Sequence, residues 1–189
     1  CLAYRVARFF FFMVRRPPSS TLFPHTTLFR SAPTVVLITS DTHRRDHLGL
    51  AQEESIVDTP ALDQLALDGV LFEDCFAGTN ITLPSHASIL TGLSVRDTGL
   101  VSNSMGLTAR ARSLAEVYAE EGWFTMALFS AQHLRHGLSG LGQGFDRMRG
   151  PTKESEAAAS IAIARFERWM ESEEGLQIGR AHVRTPVTS

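Results

Sequence analysis

The chain has 189 residues, of which 43% are hydrophobic, and this length and composition are those of a single globular domain. Its formal net charge is −2, from 18 basic and 20 acidic residues. All 20 acidic residues but only 11 of the basic ones lie within residues 32–177, and this excess of negative charge disfavours a nucleic-acid-binding surface, which needs clustered positive charge.

The two ends of the chain differ in composition from its centre. Residues 1–31 and 178–189 contain no acidic residue, and TLFPHTTLFRS (21–31) and IGRAHVRTPV (178–187) resemble translated sequencing adaptors. We therefore predict non-native segments at 1–31 and 178–189 around a domain at 32–177, where 20 acidic residues face 11 basic ones. The alternative of a signal peptide is disfavoured because the apolar run Phe9–Val14 has only six residues, too few also for a membrane span.

A β-strand is predicted directly after Pro33. Residues 34–39 are β-branched or apolar throughout, as in a strand buried on both faces of a parallel sheet. Asp41 follows at its carboxyl end, where open α/β sheets gather their ligands. The residue is therefore a candidate metal ligand, although its position alone also fits a turn or helix-capping aspartate.

Two packing elements are predicted next. Thr59-Pro60 opens a helix with Leu62, Leu65 and Ala66 at helical spacing, and Gly69 ends it. The alternation in 70–76 then indicates a short strand. Neither element carries residues to which we assign chemistry.

The stretch TNITLPSHASILTG (79–92) combines a polar turn with a short apolar helix. Pro84 fits the first helical position and Gly92 fits a left-handed cap. The helix N-terminus would point toward Thr82 and form an anion site with a hydroxyl at its mouth. The alternatives are plain helix capping by Thr82 and Ser85, and a solvent-facing His86.

The sequence pattern in the second half of the chain predicts a βαβ unit. Ser113 and Glu116 form a capping box, residues 124–130 are a buried strand, and residues 154–170 are an amphipathic helix. The fold class is therefore α/β, with a mostly parallel sheet flanked by helices. The glycine-rich Gly140–Asp146 lacks the P-loop lysine and indicates an ordinary turn.

These motifs resemble the sulfatase family of the alkaline phosphatase superfamily, over roughly residues 33–145. Pro84, Ser85 and the Leu-Thr-Gly ending at Gly92 match its signature, and DTHRRDHLG (41–49) resembles its first metal-binding segment. Thr82 falls at the nucleophile position and His86 at the arginine position, and Thr42 stands where many members have a second aspartate. The chain thus resembles the N-terminal part of a truncated sulfatase fold.

The resemblance implies a site with Asp41 and Thr82 as metal ligands and Thr82 and His86 as catalytic residues. The implied ion is Ca²⁺ or Mg²⁺, ahead of Mn²⁺ or Zn²⁺, and the implied substrate is a small-molecule or glycan ester of sulfate or phosphate. Threonine cannot become the formylglycine of the family, because its β-carbon already carries a methyl group, so no formylglycine is expected. His43 and His47, four residues apart, are expected at the surface or behind the ligands.

Two functions from different classes follow. The first is a metal-dependent sulfatase-like hydrolase or transferase, inactive as this fragment alone. The second is a catalytically dead sulfatase-like binding domain, suggested by Thr42, Thr82 and His86 together. A serine hydrolase is disfavoured because the chain has no G-x-S-x-G elbow.

Overall fold

The computed structural model of the chain describes residues 8–15, 34–51, 57–72, 74–151 and 159–170. Within these ranges, strands and helices alternate along the second half of the chain, as predicted for an α/β protein. The strands are β1 Arg8–Arg15, β2 Thr34–Ser40, β3 Trp123–Phe129 and β4 Arg147–Arg149. The α-helices are α1 Pro60–Asp68, α2 Thr82–Thr91, α3 Val95–Thr98, α4 Leu114–Glu120, α5 His136–Ser139 and α6 Ala159–Met170. Short 3₁₀ helices span Arg45–His47, Gly49–Ala51 and Gln132–Leu134.

The four strands form one sheet in the order β2-β1-β3-β4. Strand β1 is antiparallel to both of its neighbours, and β3 is parallel to β4. Strands β2, β3 and β4 therefore share one direction, and the mostly parallel α/β arrangement is confirmed, with β1 as the exception. Strand β1 lies in the terminal segment that composition sets apart, and the non-native origin of that segment stays a prediction.

The main hydrophobic core lies between the sheet and the helices α2 and α4. Leu83, Ala87 and Leu90 of α2 are buried, as is Ala115 of α4, and they share a cluster with Ala127 and Phe129 of β3. The predicted capping box at the start of α4 is confirmed, because the Ser113 hydroxyl accepts from the Glu116 N–H while the Glu116 carboxylate accepts from the Ser113 N–H. These contacts hold α2, which carries the signature stretch, against the sheet.

The opposite face of β3 is covered by α6. Phe124, Met126 and Leu128 are buried there and contact Phe166 and Trp169 of the helix. The rings of Phe124 and Trp169 are stacked with centroids 5.7 Å apart. Strand β3 is thus buried on both faces, as predicted, and the sheet has helices on both sides. The predicted helix is confirmed for 159–170, whereas its expected start at 154–158 lies outside the described residues.

Strand β2 is buried on one face only, which corrects the sequence prediction. Val35 and Leu37 pack against the core, but 46% of Val36 and 58% of Ile38 are exposed. The apolar run was a correct strand signal, but the burial of each face depends on which layers cover it, and a run of apolar residues does not encode that.

The region between β2 and α2 departs most from prediction. Helix α1 forms with the expected bounds, yet it buries none of its residues, and Leu65 is 66% exposed. The short strand expected at 70–76 is absent among its described residues, and Phe76 is 89% exposed. A strand needs a partner to supply its backbone hydrogen bonds, and the described sheet offers none here.

Two further local predictions hold. Gly92 ends α2 in the left-handed region with φ 69°, and residues 141–144 form a turn within the glycine-rich segment.

Among the described residues, no helix is both long and apolar enough to cross a membrane.

Candidate active site

Asp41 lies in the turn at the carboxyl end of β2, and both oxygens of its carboxylate accept hydrogen bonds. Oδ2 accepts from the Thr82 hydroxyl at 2.8 Å, and Oδ1 accepts from the Thr42 N–H at 2.9 Å. Thr42 has φ 56°, the one positive value for a non-glycine residue in the described ranges. A β-branched residue in the left-handed region is strained, and such strain tends to collect at functional sites. The turn therefore fixes the carboxylate at some cost in backbone energy.

Thr82 is the first residue of α2, so the helix begins two residues before the predicted position of Pro84. This start is compatible with proline, because no N–H in the first helical turn has an intrahelical acceptor. The cap residue is Ile81, and the structure shows no side-chain capping bond. Capping therefore does not account for the Thr82 hydroxyl, which instead binds Asp41 across 41 residues of sequence.

The N-terminus of α2 offers fewer free donors than an anion site would have. The Leu83 N–H donates to the Asn103 side-chain oxygen at 2.8 Å, and the Ser85 N–H donates to the Ile81 carbonyl at 3.0 Å. Pro84 has no N–H. Asn103 has no signal in the sequence, because it approaches α2 from a loop 20 residues away.

His86 is buried, with only 3% of its surface exposed, which corrects the alternative of a solvent-facing residue. Its Nδ1 lies 2.8 Å from the Thr82 backbone carbonyl, and its Nε2 lies 3.0 Å from the Thr39 hydroxyl. Because a carbonyl only accepts, Nδ1 carries the proton, and in the neutral ring Nε2 accepts from Thr39. His86 thus ties the end of β2 to the first turn of α2.

A cavity of about 370 Å³ opens beside these groups, and we name it the Asp41 cavity. Asp41, Ser85 and His86 are among the residues that line it, whereas Thr82 borders it only through its bond to Asp41. The predicted residues Asp41, Thr82 and His86 are therefore all brought together at the carboxyl end of β2.

The oxygen donors of the site suit a hard cation, but they are few. The Asp41 carboxylate and the Thr82 hydroxyl are ligand types that Ca²⁺ and Mg²⁺ take, and these ions take six or more oxygens. Within the described ranges, no group of three or more His, Cys, Asp or Glu side chains is placed to hold a metal ion. Asp41 and Thr82 therefore fit part of a metal site.

Comparison with known proteins identifies the family of this chain. The family model described as "Sulfatase" matches residues 33–163, which is more than half of the chain. The chain belongs to the sulfatase family. The match includes both the turn that holds Asp41 and the helix that begins at Thr82.

Curated sulfatases are similar over part of the chain. An arylsulfatase of Clostridium perfringens is 33% identical over 97 residues, which are 51% of this chain and 20% of that protein. A ulvan-active sulfatase of Formosa agariphila is 35% identical over 102 residues (54% and 20%), and human arylsulfatase A is 34% identical over 128 residues (62% and 25%). The chain thus spans about a fifth to a quarter of the length of these relatives. No solved structure gave a significant match.

The histidine pair of this sulfatase segment does not form a second metal site. His43 precedes the 3₁₀ helix Arg45–His47, so the two rings do not lie on one face of a helix, although they are four residues apart. The His43 Nε2–H donates to the His47 carbonyl at 3.1 Å, and the His47 Nδ1 lies 2.9 Å from an Asp46 carboxylate oxygen. Both histidines are therefore engaged in local contacts at the surface.

We expect His86 to make the stability of this sulfatase segment depend on pH. Burial lowers the pKa of His86 below its usual 6.5, although the Thr82 carbonyl and the Asp41 charge act in the opposite direction. As the pH falls below about 6.5, the unfolded chain takes up a proton that the folded chain does not, so stability is lost with a slope of at most about 1.4 kcal/mol per pH unit. Urea unfolding between pH 7.5 and 5 measures this slope.

The same pH dependence of stability is measured in His86→Gln and in a matched control variant. His86→Gln removes the titrating group and should flatten the slope, whereas His43→Gln, at an exposed histidine, should leave the slope unchanged. An unchanged slope in His86→Gln would show that another group causes the acid sensitivity.

Proposed function

We propose that the full-length protein containing this segment is a metal-dependent sulfatase-like hydrolase or transferase that acts on sulfate or phosphate esters. Thr82 is the nucleophile in this proposal, and Asp41 is its partner. The observation that carries it is the 2.8 Å bond from the Thr82 hydroxyl to the carboxylate of Asp41, a residue that lines the Asp41 cavity. The family membership of residues 33–163 supports the same chemistry.

The chemistry assigned to the chain begins with the hydroxyl of Thr82. Its proton passes to the Asp41 carboxylate, and the oxygen attacks the sulfur or phosphorus of the ester. A bond forms between Thr82 Oγ1 and that atom, and the bond to the leaving-group oxygen breaks. The leaving group departs with the electron pair and takes a proton from water. Water, or an acceptor alcohol in a transferase, then attacks the same sulfur or phosphorus and loses its proton to solvent. The bond to Thr82 Oγ1 breaks, and this oxygen takes back the proton held by Asp41, which restores the hydroxyl and the carboxylate.

A divalent cation would be held in part by Asp41 and Thr82. When bound, it would lower the pKa of a coordinated hydroxyl and offset the negative charge of the ester oxygens. Two oxygen donors suit Ca²⁺ and Mg²⁺ and are also compatible with Mn²⁺, whereas Zn²⁺ more often takes histidine or cysteine. The remaining ligands would come from outside the described residues.

His86 has a positioning role in this proposal and not the catalytic role that the family resemblance implies. Both ring nitrogens are engaged, and burial keeps the ring neutral, so it has no spare proton to give a leaving group. Its Nδ1–H holds the Thr82 carbonyl, and this bond fixes the backbone that carries the nucleophile.

The substrate class extends to both sulfate and phosphate esters. The names of the relatives, among them arylsulfatases and an N-acetylglucosamine-6-O-sulfatase, favour aryl and glycan sulfates. Thr82 favours a direct covalent ester, which suits phosphoryl transfer, because it cannot supply an oxidised aldehyde nucleophile. Assays should therefore include sulfate monoesters, phosphate monoesters and phosphate diesters.

A binding domain without catalysis is the second candidate. It is favoured by the neutral, fully engaged His86 at the position where the family has an arginine, since the site lacks that positive clamp on the ester. Such a domain would bind sulfated or phosphorylated ligands with no turnover.

A metal titration of the full-length protein separates the two candidates. Purified protein is stripped with a chelator, and Ca²⁺, Mg²⁺, Mn²⁺ and Zn²⁺ are returned singly with each ester class. Saturable, metal-dependent turnover of at least one class is expected. Ligand binding with no turnover under any metal would favour the binding domain.

A further inference from the structure

A second cavity lies beside the Asp41 cavity and shares a wall with it. Its volume is about 450 Å³, and His43 lines both cavities. Most of its other lining residues are apolar, and we name it the leucine cavity after them: Leu48, Leu50, Leu71 and Phe72. A volume of this size, with apolar side chains beside a few polar ones, is typical of small-molecule sites.

The apolar wall of the leucine cavity is open to solvent. Leu50 is 43% exposed and Phe72 is 77% exposed, and neither belongs to a hydrophobic cluster of the described residues. Exposed apolar surface that rims a concave site is typical of a binding site, because a ligand removes that surface from water.

One positive charge lies in the same cavity, on Arg45. The neighbouring Arg44 already has a partner, since its guanidinium donates twice to the Asp46 carboxylate. Arg45, in contrast, makes no ion pair or side-chain hydrogen bond that the structure describes. A guanidinium without a partner beside an apolar wall is suited to an anionic group on an otherwise apolar ligand.

We infer that the leucine cavity takes the leaving-group part of the ester, and that this part is apolar and carries an anionic substituent bound by Arg45. The inference rests on the proposed function, because the ester group itself would lie in the Asp41 cavity on the other side of His43. Arg45 is then a specificity-determining residue: it selects among leaving groups by charge and takes no part in bond cleavage.

Binding of leaving-group analogues to the whole chain tests this inference without turnover. The probes are 4-hydroxybenzoate, which has a ring and a carboxylate, and phenol, which has the ring alone. We expect 4-hydroxybenzoate to bind about tenfold more tightly than phenol, as measured by NMR titration, because a charge-assisted bidentate contact has about that effect. Arg45→Gln should abolish the difference, and Arg45→Lys should keep only part of it, because an ammonium group keeps the charge but cannot form the bidentate contact.

Two control variants test whether the preference for 4-hydroxybenzoate arises from Arg45 in the leucine cavity. Arg44→Gln removes an equal charge one residue away, from a side chain that does not line the cavity, and should leave both affinities unchanged. Leu71→Ser should weaken both probes, because it removes part of the shared apolar wall. Circular dichroism confirms that each variant is folded.

The inference is overturned if neither probe binds the wild-type chain at millimolar concentration, or if the preference for 4-hydroxybenzoate survives in Arg45→Gln. The result is independent of the metal titration. If the preference depends on Arg45 but no ester is turned over, the cavity assignment stands and the proposed function is refuted. If an ester is turned over but no such preference is found, the proposed function stands and the cavity assignment is refuted.

Discussion

Replacing Thr82 with alanine should lower kcat of the full-length protein by about a thousandfold or more. Loss of a covalent nucleophile removes the bond-forming step itself, and only binding and charge stabilisation remain. The hydroxyl makes one described bond, to the Asp41 carboxylate, so its removal should cost about 1.5–3 kcal/mol of stability and leave the fold intact. Steady-state kinetics with the best ester and metal, beside a thermal melt, measure both quantities.

The controls for this substitution come from the same helix. Thr91→Ala removes a hydroxyl at the other end of α2, where it donates to the Ala87 carbonyl, and should leave kcat near the wild-type value. Thr82→Ser keeps a hydroxyl on the same carbon and should retain activity within about tenfold. If Thr82→Ala turns over substrate at the wild-type rate with metal bound, the nucleophile is another group.

Gly140→Ala, directly after α5, should be strongly destabilising although it adds only one methyl group. Gly140 has φ 70°, and an added Cβ would overlap the Leu107 carbonyl oxygen and lie 3.0 Å from the Leu107 nitrogen. The Leu107 N–H donates to the Ser139 carbonyl at 2.7 Å, so this backbone cannot move aside without loss of that bond. The left-handed conformation costs about 1–2 kcal/mol, and the overlap adds about 1–3 kcal/mol.

Gly122→Ala is the matched control for Gly140→Ala. Gly122 also has a positive φ, of 78°, but an added Cβ would meet nothing within 4 Å. We therefore expect a loss of about 1–2 kcal/mol, from conformation alone. Urea unfolding of the chain compares the two variants, and equal losses would contradict the packing of the Leu107 backbone on Gly140.

Local signals in the sequence predicted most of the helices. Thr59-Pro60 and Gly69 bound α1, and the box formed by Ser113 and Glu116 starts α4, because caps and helix stops act within one or two turns. Strand β3 was predicted from its apolar run and lies at the expected place. Each of these signals needs only residues that are close together in sequence.

Predictions that depended on distant partners were less successful. The strand expected at 70–76 and the packing of α1 both required a second layer that the described residues do not supply. Nothing in the sequence predicted that Arg8–Arg15 pairs with β2 and β3, because an apolar run does not specify which edges it joins.

In the candidate site, too, some contacts were expected from the sequence, whereas contacts from distant parts of the chain were missed. The approach of Asp41 to Thr82 was expected from family resemblance, and their catalytic roles stay a proposal. Asn103 and Thr39 were missed, because each meets α2 from a different part of the chain and neither belongs to a motif. Contacts of this kind are fixed by tertiary packing, which a local pattern does not record.

The bonds that join β2 to α2 also bear on how the chain folds. Asp41 meets Thr82, and Thr39 meets His86, across 41 and 47 residues of sequence. Contacts between such distant residues require a large loop to close before they return any energy, and they therefore form late and slowly. We therefore expect Asp41 and Thr82 to meet only in the last stages of folding, after β2 and α2 have come together.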